Sequence, residues 1–303
     1  MGKTAKDKRD IYYRLAKEEG WRARSAYKLL QIDEKFNVFN GVKSAVDLCA
    51  APGSWSQVLA KKLLNQEQQQ QDVKIVAVDL QLMAPIQGVI QIQGDITNME
   101  TARQIIQHFN GSKADLVVCD GAPDVIGLHD LDEYIQGQLV LSALNITTNI
   151  LNSNGTFITK VFRGKHLALL YSQLKMFFNQ VTIAKPRTCR NSSIEAFAVC
   201  QNYSPPKHYD GTIFKDLIDE KSQEYFKDIN YFHKETEIPF LACGNGFDAD
   251  CCYPLNSSLE ETTYKYHEPT QSPIDPPYKK AVQLKKNDAL EKPMKKQKDE
   301  ETL

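Results

Sequence analysis

Acidic side chains follow successive apolar runs in this sequence. Asp47, Asp79 and Asp120 each close a short β-branched run, and Asp95 comes two residues after another. A single aspartate after a strand is usually a turn former or a helix cap. Several at the carboxyl ends of neighbouring parallel strands predict a ligand site at one edge of a sheet.

Lys160 carries the strongest chemical signal of any single residue. It lies inside the apolar run from Gly155 to Phe162, and lysine is rarely buried unless it is paired or functional. The alternative is a lysine whose aliphatic chain extends to the sheet edge. Asp120 could pair with Lys160 at the neighbouring strand end, while Glu195 opens the last strand and Lys28 ends a basic segment.

The loop from Asp47 to Trp55 joins an apolar strand to a helix and has the sequence of a ligand loop. Gly53 allows the backbone to approach a bound molecule, and Pro52 stiffens the turn before the helix N-terminus. We expect Gly53 and Trp55 to contact the ligand. A single glycine lacks the spacing of a dinucleotide fingerprint, so an ordinary strand-to-helix turn is the alternative.

Two of the aspartates indicate the class of ligand. Asp79 ends the second strand, where an acid accepts hydrogen bonds from the two hydroxyls of an adenosine ribose, and Asp95 lies where it could meet the adenine edge. The missing fingerprint glycines disfavour a pyrophosphate. S-adenosylmethionine is an adenosine ligand without phosphates and fits this pattern.

The segment from 43 to 203 alternates β-branched runs with amphipathic segments, which predicts an α/β fold with helices on both faces of a seven-stranded, mostly parallel, Rossmann-like sheet. Helices are predicted at 55–64, 100–109, 131–151 and 165–178, the second with a capping box formed by Thr97 and Glu100. Strands are predicted at 44–48, 74–79, 89–93, 114–119, 155–161, 180–184 and 195–202.

Composition indicates a globular intracellular protein. The chain has 303 residues, 42% of them apolar, without a run of about 18 apolar residues that would span a membrane. The N-terminus is charged where a signal peptide is apolar. Seven cysteines, an odd number, favour reduced thiols. We therefore expect a cytoplasmic protein with no membrane partner.

Charge is unevenly distributed along the chain. Residues 1 to 28 hold nine Lys/Arg against four Asp/Glu, interleaved with aromatics. This mixture suits an RNA backbone with bases nearby, and a solvated helix face is the alternative. Residues 1 to 42 are therefore predicted to be an RNA-binding segment packed on a catalytic domain at 43 to 203; the basic and aromatic residues concerned are Tyr12, Tyr13, Arg14, Trp21, Arg22, Arg24, Tyr27 and Lys28.

The remaining chain shows weaker patterning. Residues 204 to 278 hold six Lys/Arg against fourteen Asp/Glu and are predicted to form an acidic, irregular appendage, and residues 279 to 303 a lysine-rich disordered tail. A zinc site is disfavoured, because no C-x₂-C pair is present and adjacent cysteines rarely chelate one ion together. Its candidate ligands would be His233, Cys243, Cys251 and Cys252.

Five motifs occur in the order and spacing found in a known enzyme family. They resemble those of the FtsJ-like ribose 2′-O-methyltransferases over residues 1 to about 203. The resemblance implies a methyltransferase fold and a catalytic tetrad of Lys28, Asp120, Lys160 and Glu195. We expect S-adenosylmethionine as cofactor, and no metal, because the sulfonium leaving group departs neutral. The residues expected around the cofactor are Gly53, Trp55, Asp79, Asp95 and Asp120. The motifs are Ser25-Ala-Tyr-Lys28, Asp47 to Trp55, Cys119-Asp-Gly-Ala-Pro123, Lys160-Val-Phe-Arg163 and Ser193-Ile-Glu195.

Three further segments resemble the eukaryotic cytoplasmic branch that methylates the tRNA anticodon loop. That branch implies the riboses at tRNA positions 32 and 34 as targets. It also implies a WD40-repeat partner protein for position 34 and a large helical-repeat partner for position 32. The segments are Gly2 to Tyr13, Leu128 to Tyr134 and Gln271 to Lys280.

Ribose methylation requires a base for the 2′-hydroxyl proton and in-line alignment of the oxygen with the transferred methyl group. Lys160 is the expected base, because burial beside Lys28 favours a neutral amine. Asp120 would orient Lys160 and position the methyl donor, and Glu195 would hold Lys28 or the ribose. Two alternatives remain: an FtsJ-like enzyme acting on ribosomal RNA, and a non-catalytic RNA-binding scaffold that would not need all four residues.

Overall fold

The computed structural model describes residues 10–64, 73–123, 129–207, 209, 238–250, 267–268, 270–271 and 284. The chain divides into two units, Met1–Thr270 and Gln271–Leu303. Within the second unit the described residues are Gln271 and Leu284, so the account below concerns the first. Apart from Leu284, the predicted lysine-rich tail lies outside the described residues, as do three of the zinc candidates, His233, Cys251 and Cys252.

Six helices and eight strands make up the first unit in its described part. The helices are α1 Ile11–Glu18, α2 Ala26–Phe36, α3 Ser54–Leu64, α4 Met99–His108, α5 His129–Ile150 and α6 Leu167–Lys175. The strands are β1 Ser44–Leu48, β2 Lys74–Asp79, β3 Val89–Gln93, β4 Ala114–Cys119, β5 Leu151–Phe162, β6 Phe178–Pro186, β7 Glu195–Tyr203 and β8 Phe240–Cys243.

The strands form one sheet in the order β3-β2-β1-β4-β5-β7-β6-β8. β7 runs antiparallel to both of its neighbours, and the other pairings are parallel. The predicted mostly parallel sheet is confirmed, with one correction: it has eight strands rather than seven. The additional strand, β8, lies within the segment predicted to be an irregular appendage and pairs with β6.

Helices cover both faces of the sheet, as predicted. On one face α4, α5 and α6 bury residues such as Ile105, Leu144 and Leu174 against the strands. On the other, α2 and α3 bury Leu29 and Val58. Each inner strand is therefore buried on both sides, which explains why β1, β2 and β4 consist of almost continuous apolar runs.

Strands β1 to β4 have the predicted bounds, whereas the start of β5 and the N-terminal cap of α4 differ from the prediction. β5 begins at Leu151, four residues before the prediction, with an irregular register between Ala114 and Leu116 of β4. The predicted capping box is wrong, because Asn98 rather than Thr97 caps α4 and accepts a hydrogen bond from the Glu100 N–H.

Within the described ranges, we find no helix long and apolar enough to cross a membrane. The same residues contain no group of three or more His, Cys, Asp or Glu side chains arranged to hold a metal ion. Cys243, the zinc candidate that the structure does describe, is buried in the core beside α2 and α3.

Candidate active site

Four elements bring the predicted tetrad together at the carboxyl edge of the sheet. Asp120 follows β4, Lys160 lies near the end of β5, and Glu195 opens β7. The antiparallel pairing of β5 with β7 places Glu195 opposite Phe162, two residues beyond Lys160. Lys28 comes from the first turn of α2, which packs over this edge.

The four side chains form one compact network of alternating charge. Lys28 Nζ lies 2.8 Å from Glu195 Oε1 and 3.9 Å from Asp120 Oδ1. Lys160 Nζ lies 3.0 Å from Asp120 Oδ1 and 4.0 Å from Glu195 Oε2. It also donates a hydrogen bond to the Asp120 carbonyl oxygen at 2.8 Å. Each lysine thus faces both carboxylates, with Glu195 closer to Lys28 and Asp120 closer to Lys160.

Electrostatics determine the charge states of Lys28 and Glu195. Burial alone would lower the pKa of Lys28, but the carboxylates of Asp120 and Glu195 outweigh burial and raise that pKa above its ordinary value. Burial would raise the pKa of Glu195, whereas Lys28 and Lys160 hold it well below its usual range. Lys28 and Glu195 are therefore both charged at neutral pH, which disqualifies Lys28 as a base.

Asp120 keeps one buried oxygen without a hydrogen-bond donor. Its Oδ1 makes the ionic contact with Lys160, but that contact lacks hydrogen-bonding geometry. A buried carboxylate oxygen with spare acceptor capacity is costly unless a ligand or water uses it. The arrangement therefore offers a lysine amine and a free acceptor at the same point of the sheet edge.

Two residues that support the tetrad were missed by the sequence analysis. Gln136 of α5 is buried, and its Nε2 donates to the carbonyl oxygens of Gly121 at 3.2 Å and Lys160 at 2.9 Å. Cys189 is also buried, and its thiol donates to Glu195 Oε1 at 3.0 Å. Gln136 lies among other polar residues, such as Glu133 and Gln138, so neither it nor Cys189 offered a signal in the sequence.

Asp79 and Asp95 lie where predicted along the chain: Asp79 is the last residue of β2, and Asp95 comes two residues after β3. Asp79 accepts hydrogen bonds from the backbone N–H groups of Ala51 and Gln81, both at 2.8 Å. Asp79 therefore holds the backbone of the ligand loop at Ala51, and it lies at the carboxyl end of β2. Asp95 is exposed, and its Oδ1 accepts from the N–H and hydroxyl of Thr97, which closes a tight turn before α4.

Both named residues of the ligand loop are held by contacts within the protein. Gly53 has a φ of +103°, and a Cβ there would lie 2.7 Å from Arg22 Nη1 and 2.8 Å from Ile86 Cδ1. The positive φ favours glycine at this position, and its backbone remains a candidate ligand contact. The Trp55 ring is 2% exposed, packs on Phe197, and donates its N–H to the Ser25 carbonyl oxygen. The Trp55 ring is therefore used within the protein, and a ligand contact from this residue stays a prediction.

Several of the basic and aromatic residues near the N-terminus are used inside the protein. Tyr12 and Trp21 are buried, and Arg24 forms an ion pair with the buried Asp10. Arg22 donates to the carbonyl oxygens of Pro52 and Pro85, both at 2.9 Å, so that it ties the ligand loop to the loop after Asp79. These four side chains are therefore structural, and RNA binding by the segment would depend on its other residues.

Asp47, at the end of β1, is almost completely buried beside the site. Its Oδ2 accepts a hydrogen bond from the Ser56 hydroxyl at 2.6 Å, and its Oδ1 lacks a hydrogen-bond partner. Burial raises the pKa of this carboxyl to about 7, and the negative charges of Asp120 and Asp79 act in the same direction. Near neutral pH Asp47 is thus divided between its neutral and charged forms.

The Asp47→Asn variant should remove a pH dependence of stability. An unfolded aspartate has a pKa of about 3.9, so between about pH 4 and pH 7 the folded state of the wild type holds a proton that the unfolded state has lost. The free energy of unfolding therefore falls as pH rises through this window, by about 4 kcal/mol at most. Urea denaturation at pH 5 and pH 8 measures the difference, and parallel pH dependences in both proteins would refute it.

Comparison with known proteins places the chain in a family. The model for the FtsJ-like methyltransferase matches residues 21–203. A mouse protein named tRNA (cytidine(32)/guanosine(34)-2′-O)-methyltransferase is 58% identical over 96% of this chain and 89% of its own length. A fission yeast protein, from Schizosaccharomyces pombe, with the same name is 50% identical over 94% of this chain and 98% of its own length.

A solved structure supports the same assignment. The crystal structure of a ribosomal RNA methyltransferase from Plasmodium falciparum superposes with a TM-score of 0.55 at 29% identity, and the match covers 61% of this chain and all of that one. The family match includes the elements that carry or adjoin Asp120, Lys160 and Glu195. The chain belongs to the FtsJ-like methyltransferase family.

Proposed function

We propose that this protein transfers the methyl group of S-adenosylmethionine to the 2′-hydroxyl of tRNA anticodon-loop riboses at positions 32 and 34. The observation that carries the chemistry is the tetrad, in which each of the two lysine Nζ atoms lies within 4.0 Å of both carboxylates at the sheet edge. The choice of tRNA rests on the names of the mouse and fission yeast relatives, whose similarity extends over nearly the whole chain.

The residues at the sheet edge fit S-adenosylmethionine. Asp79 ends β2, and each of its carboxylate oxygens has spare acceptor capacity for a ribose hydroxyl. The exposed Asp95 is available to the adenine edge. The Ala51–Gly53 backbone and the buried Oδ1 of Asp120 would meet the methionine portion. When bound, this cofactor supplies an electrophilic methyl group on a positively charged sulfur.

In the proposed mechanism the chain's own residues orient the ribose and remove its proton. Lys160 takes the proton of the 2′-hydroxyl as the new oxygen–carbon bond forms. Asp120 holds the Lys160 amine in place through its carboxylate and its carbonyl oxygen. The charged pair of Lys28 and Glu195 positions the ribose. Cys189 holds the Glu195 carboxylate, and Gln136 holds the backbone at Lys160.

The test is a methyl-transfer assay with labelled S-adenosylmethionine and unmodified tRNA, with and without a WD40-repeat partner or a large helical-repeat partner. We expect label at the 2′-oxygens of positions 34 and 32, each with its own partner. Transfer to ribosomal RNA and not to tRNA would favour the alternative suggested by the Plasmodium structure. The absence of transfer to either RNA would leave the non-catalytic scaffold.

Cytoplasmic localisation completes the proposal. The described cysteines are Cys49, Cys119, Cys189, Cys200 and Cys243, and all five are free. Free cysteines are typical of proteins that fold and work in a reducing compartment.

The basic N-terminal segment is proposed to bind tRNA phosphates through partly exposed side chains such as Lys17, rather than through Arg22 or Arg24.

Arg22→Gln should weaken the binding of S-adenosylmethionine by about 10-fold, because the charged hydrogen bonds that hold the ligand loop against the Pro85 loop would be lost. Calorimetric titration of the cofactor in the absence of RNA provides the measurement. Arg103→Gln is the matched control, since Arg103 is an exposed arginine of α4 paired with Glu100. Equal affinities in the two variants would show that Arg22 does not hold the loop.

A further inference from the structure

Two cations from different strands converge on one carbonyl oxygen beside the tetrad. Arg163 follows β5 and Lys185 lies in β6, with β7 between them. Arg163 Nη2 donates to the Ser193 carbonyl oxygen at 3.4 Å, and Lys185 Nζ donates to the same oxygen at 2.7 Å. In the part of the chain that the structure describes, neither cation has a carboxylate within 4.0 Å.

Among the described residues, the charges of Arg163 and Lys185 are not balanced by a nearby carboxylate. The Arg163 Nε is buried without a hydrogen-bond partner. Burial, followed by the charge of Arg163, lowers the pKa of Lys185. Two like charges that share one neutral acceptor repel each other. An anion placed between them would reduce this repulsion and would accept hydrogen bonds from the donors that are unused.

Strand β8 holds one of the two cations in place. The Arg163 guanidinium lies 5.5 Å from the centre of the Phe240 ring, a cation–π contact. Phe240 opens β8, pairs with Ile183 of β6, and is 46% exposed. The segment that the sequence predicted to be an irregular appendage therefore supplies a side chain to this part of the protein surface.

The cation pair lies close to the groups proposed to act on the ribose. Ser193 precedes Glu195 by two residues, which is about 7 Å along an extended chain. The backbone N–H of Arg163 donates to the Ile194 carbonyl oxygen at 2.8 Å, so that Arg163 is fixed to the same turn. A polymer bound with its ribose at the tetrad would carry its neighbouring backbone groups past Arg163 and Lys185.

We propose that Arg163 and Lys185 form a subsite for a backbone phosphate of the RNA, next to the nucleotide that is methylated, with Phe240 positioning the Arg163 guanidinium. Arginine suits this role because its planar donors match phosphate oxygens, and lysine adds a second point charge. The inference rests on the proposed function, because it takes the tetrad to be the place where the ribose binds.

The test measures RNA binding rather than activity. Affinity of an unmodified anticodon stem-loop RNA is measured by fluorescence anisotropy over a range of salt concentrations for wild type, Arg163→Gln and Lys185→Gln. Each substitution should weaken binding about 10-fold at physiological salt. It should also reduce the slope of log affinity against log salt by about 0.7, the value for one phosphate contact on a single strand.

Three comparisons make the result specific. Lys113→Gln removes an exposed lysine at the opposite edge of the sheet, just before β4, and should leave the slope unchanged. Arg163→Lys retains the charge and should recover part of the affinity lost in Arg163→Gln. Inorganic phosphate should compete with RNA less effectively in Lys185→Gln than in wild type, and competition of equal strength would show that phosphate acts elsewhere.

Two outcomes would overturn the subsite. A wild-type salt slope in both Arg163→Gln and Lys185→Gln would exclude a phosphate contact. A loss of S-adenosylmethionine affinity in these variants, with RNA affinity intact, would assign the cations to the cofactor carboxylate instead. Failure of the proposed function is separate from both, because it would appear as absence of methyl transfer by the wild-type protein with its partners.

Discussion

Lys160→Ala should lower the rate of methyl transfer to tRNA by about 10²- to 10⁴-fold, the range expected for loss of a general base. The affinity for S-adenosylmethionine should stay nearly unchanged, because Lys160 is proposed to act on the ribose hydroxyl. Single-turnover kinetics with labelled cofactor gives the rate, and calorimetry gives the affinity. Lys113→Ala, at the opposite edge of the sheet, is the control and should match the wild type in both.

A second measurement separates a base from an electrostatic role. Small primary amines should restore part of the activity of Lys160→Ala, because they fit the space of the missing side chain and accept a proton. The same amines should not restore Lys28→Ala, since Asp120 and Glu195 raise the pKa of Lys28 and keep it charged. Substantial turnover by Lys160→Ala without added amine would remove Lys160 from the base role.

The centre of the fold was predictable because its strands are buried on both faces. Residues such as Val46 and Val76 lie in continuous apolar runs whose limits are marked by Asp47 and Asp79. The predicted and observed bounds of β1, β2 and β4 therefore agree, and those of the edge strand β3 agree as well. The same limits located Asp120, because the polar residue that ends a buried strand is the one that reaches the sheet edge.

The eighth strand could not be read from local patterns. Phe240–Cys243 is four residues long, and three of them are exposed. Its stability comes from pairing with β6, more than fifty residues earlier in the chain. A nearby loop adds further contacts: the Tyr12 hydroxyl donates to the Phe247 carbonyl oxygen, and Gly244 packs on Gln31. Contacts of this kind depend on the assembled structure and leave no periodicity in the sequence.

In the N-terminal segment, the residue types were clear from the sequence but their binding partners were not. Arginines among aromatic residues suit RNA phosphates, yet the guanidinium donors of Arg22 serve carbonyl oxygens of the protein. Arg24 is likewise used by Asp10 and by the Thr188 carbonyl oxygen. An arginine satisfies a carboxylate, a carbonyl group or a phosphate with the same donors, so residue type alone could not distinguish these partners.

The supporting residues of the site also required the structure. Gln136 connects β4 to β5 through two backbone carbonyl oxygens, and this bridge depends on how α5 packs across the strands. Trp55 was expected at the ligand, but its ring fills the space between α3 and Phe197. Sequence motifs thus predicted four side chains that the structure brings together, whereas the residues that fix their distances became visible through packing.

Asp79→Ala should weaken S-adenosylmethionine binding by about 10²- to 10⁴-fold, an effect on binding rather than on the chemical step. The carboxylate is proposed to accept both ribose hydroxyls, and each hydrogen bond to a charged acceptor contributes about 1.5–3 kcal/mol. Asp79 also holds the backbone of Ala51 and Gln81, so part of the loss would come from the ligand loop. Calorimetric titration of the cofactor measures the total.

Asp115→Ala is a matched control that isolates the contribution of the ribose. Asp115 also accepts two backbone N–H groups, those of Lys43 and Ser44, both at 3.0 Å, but it lies at the opposite edge of the sheet. Both variants should lose stability, whereas Asp79→Ala alone should lose cofactor affinity. Equal cofactor affinities would contradict the assignment of Asp79. The opposite pattern in Lys160→Ala, with intact affinity and lost transfer, would show that cofactor binding and proton removal belong to different residues of one sheet edge.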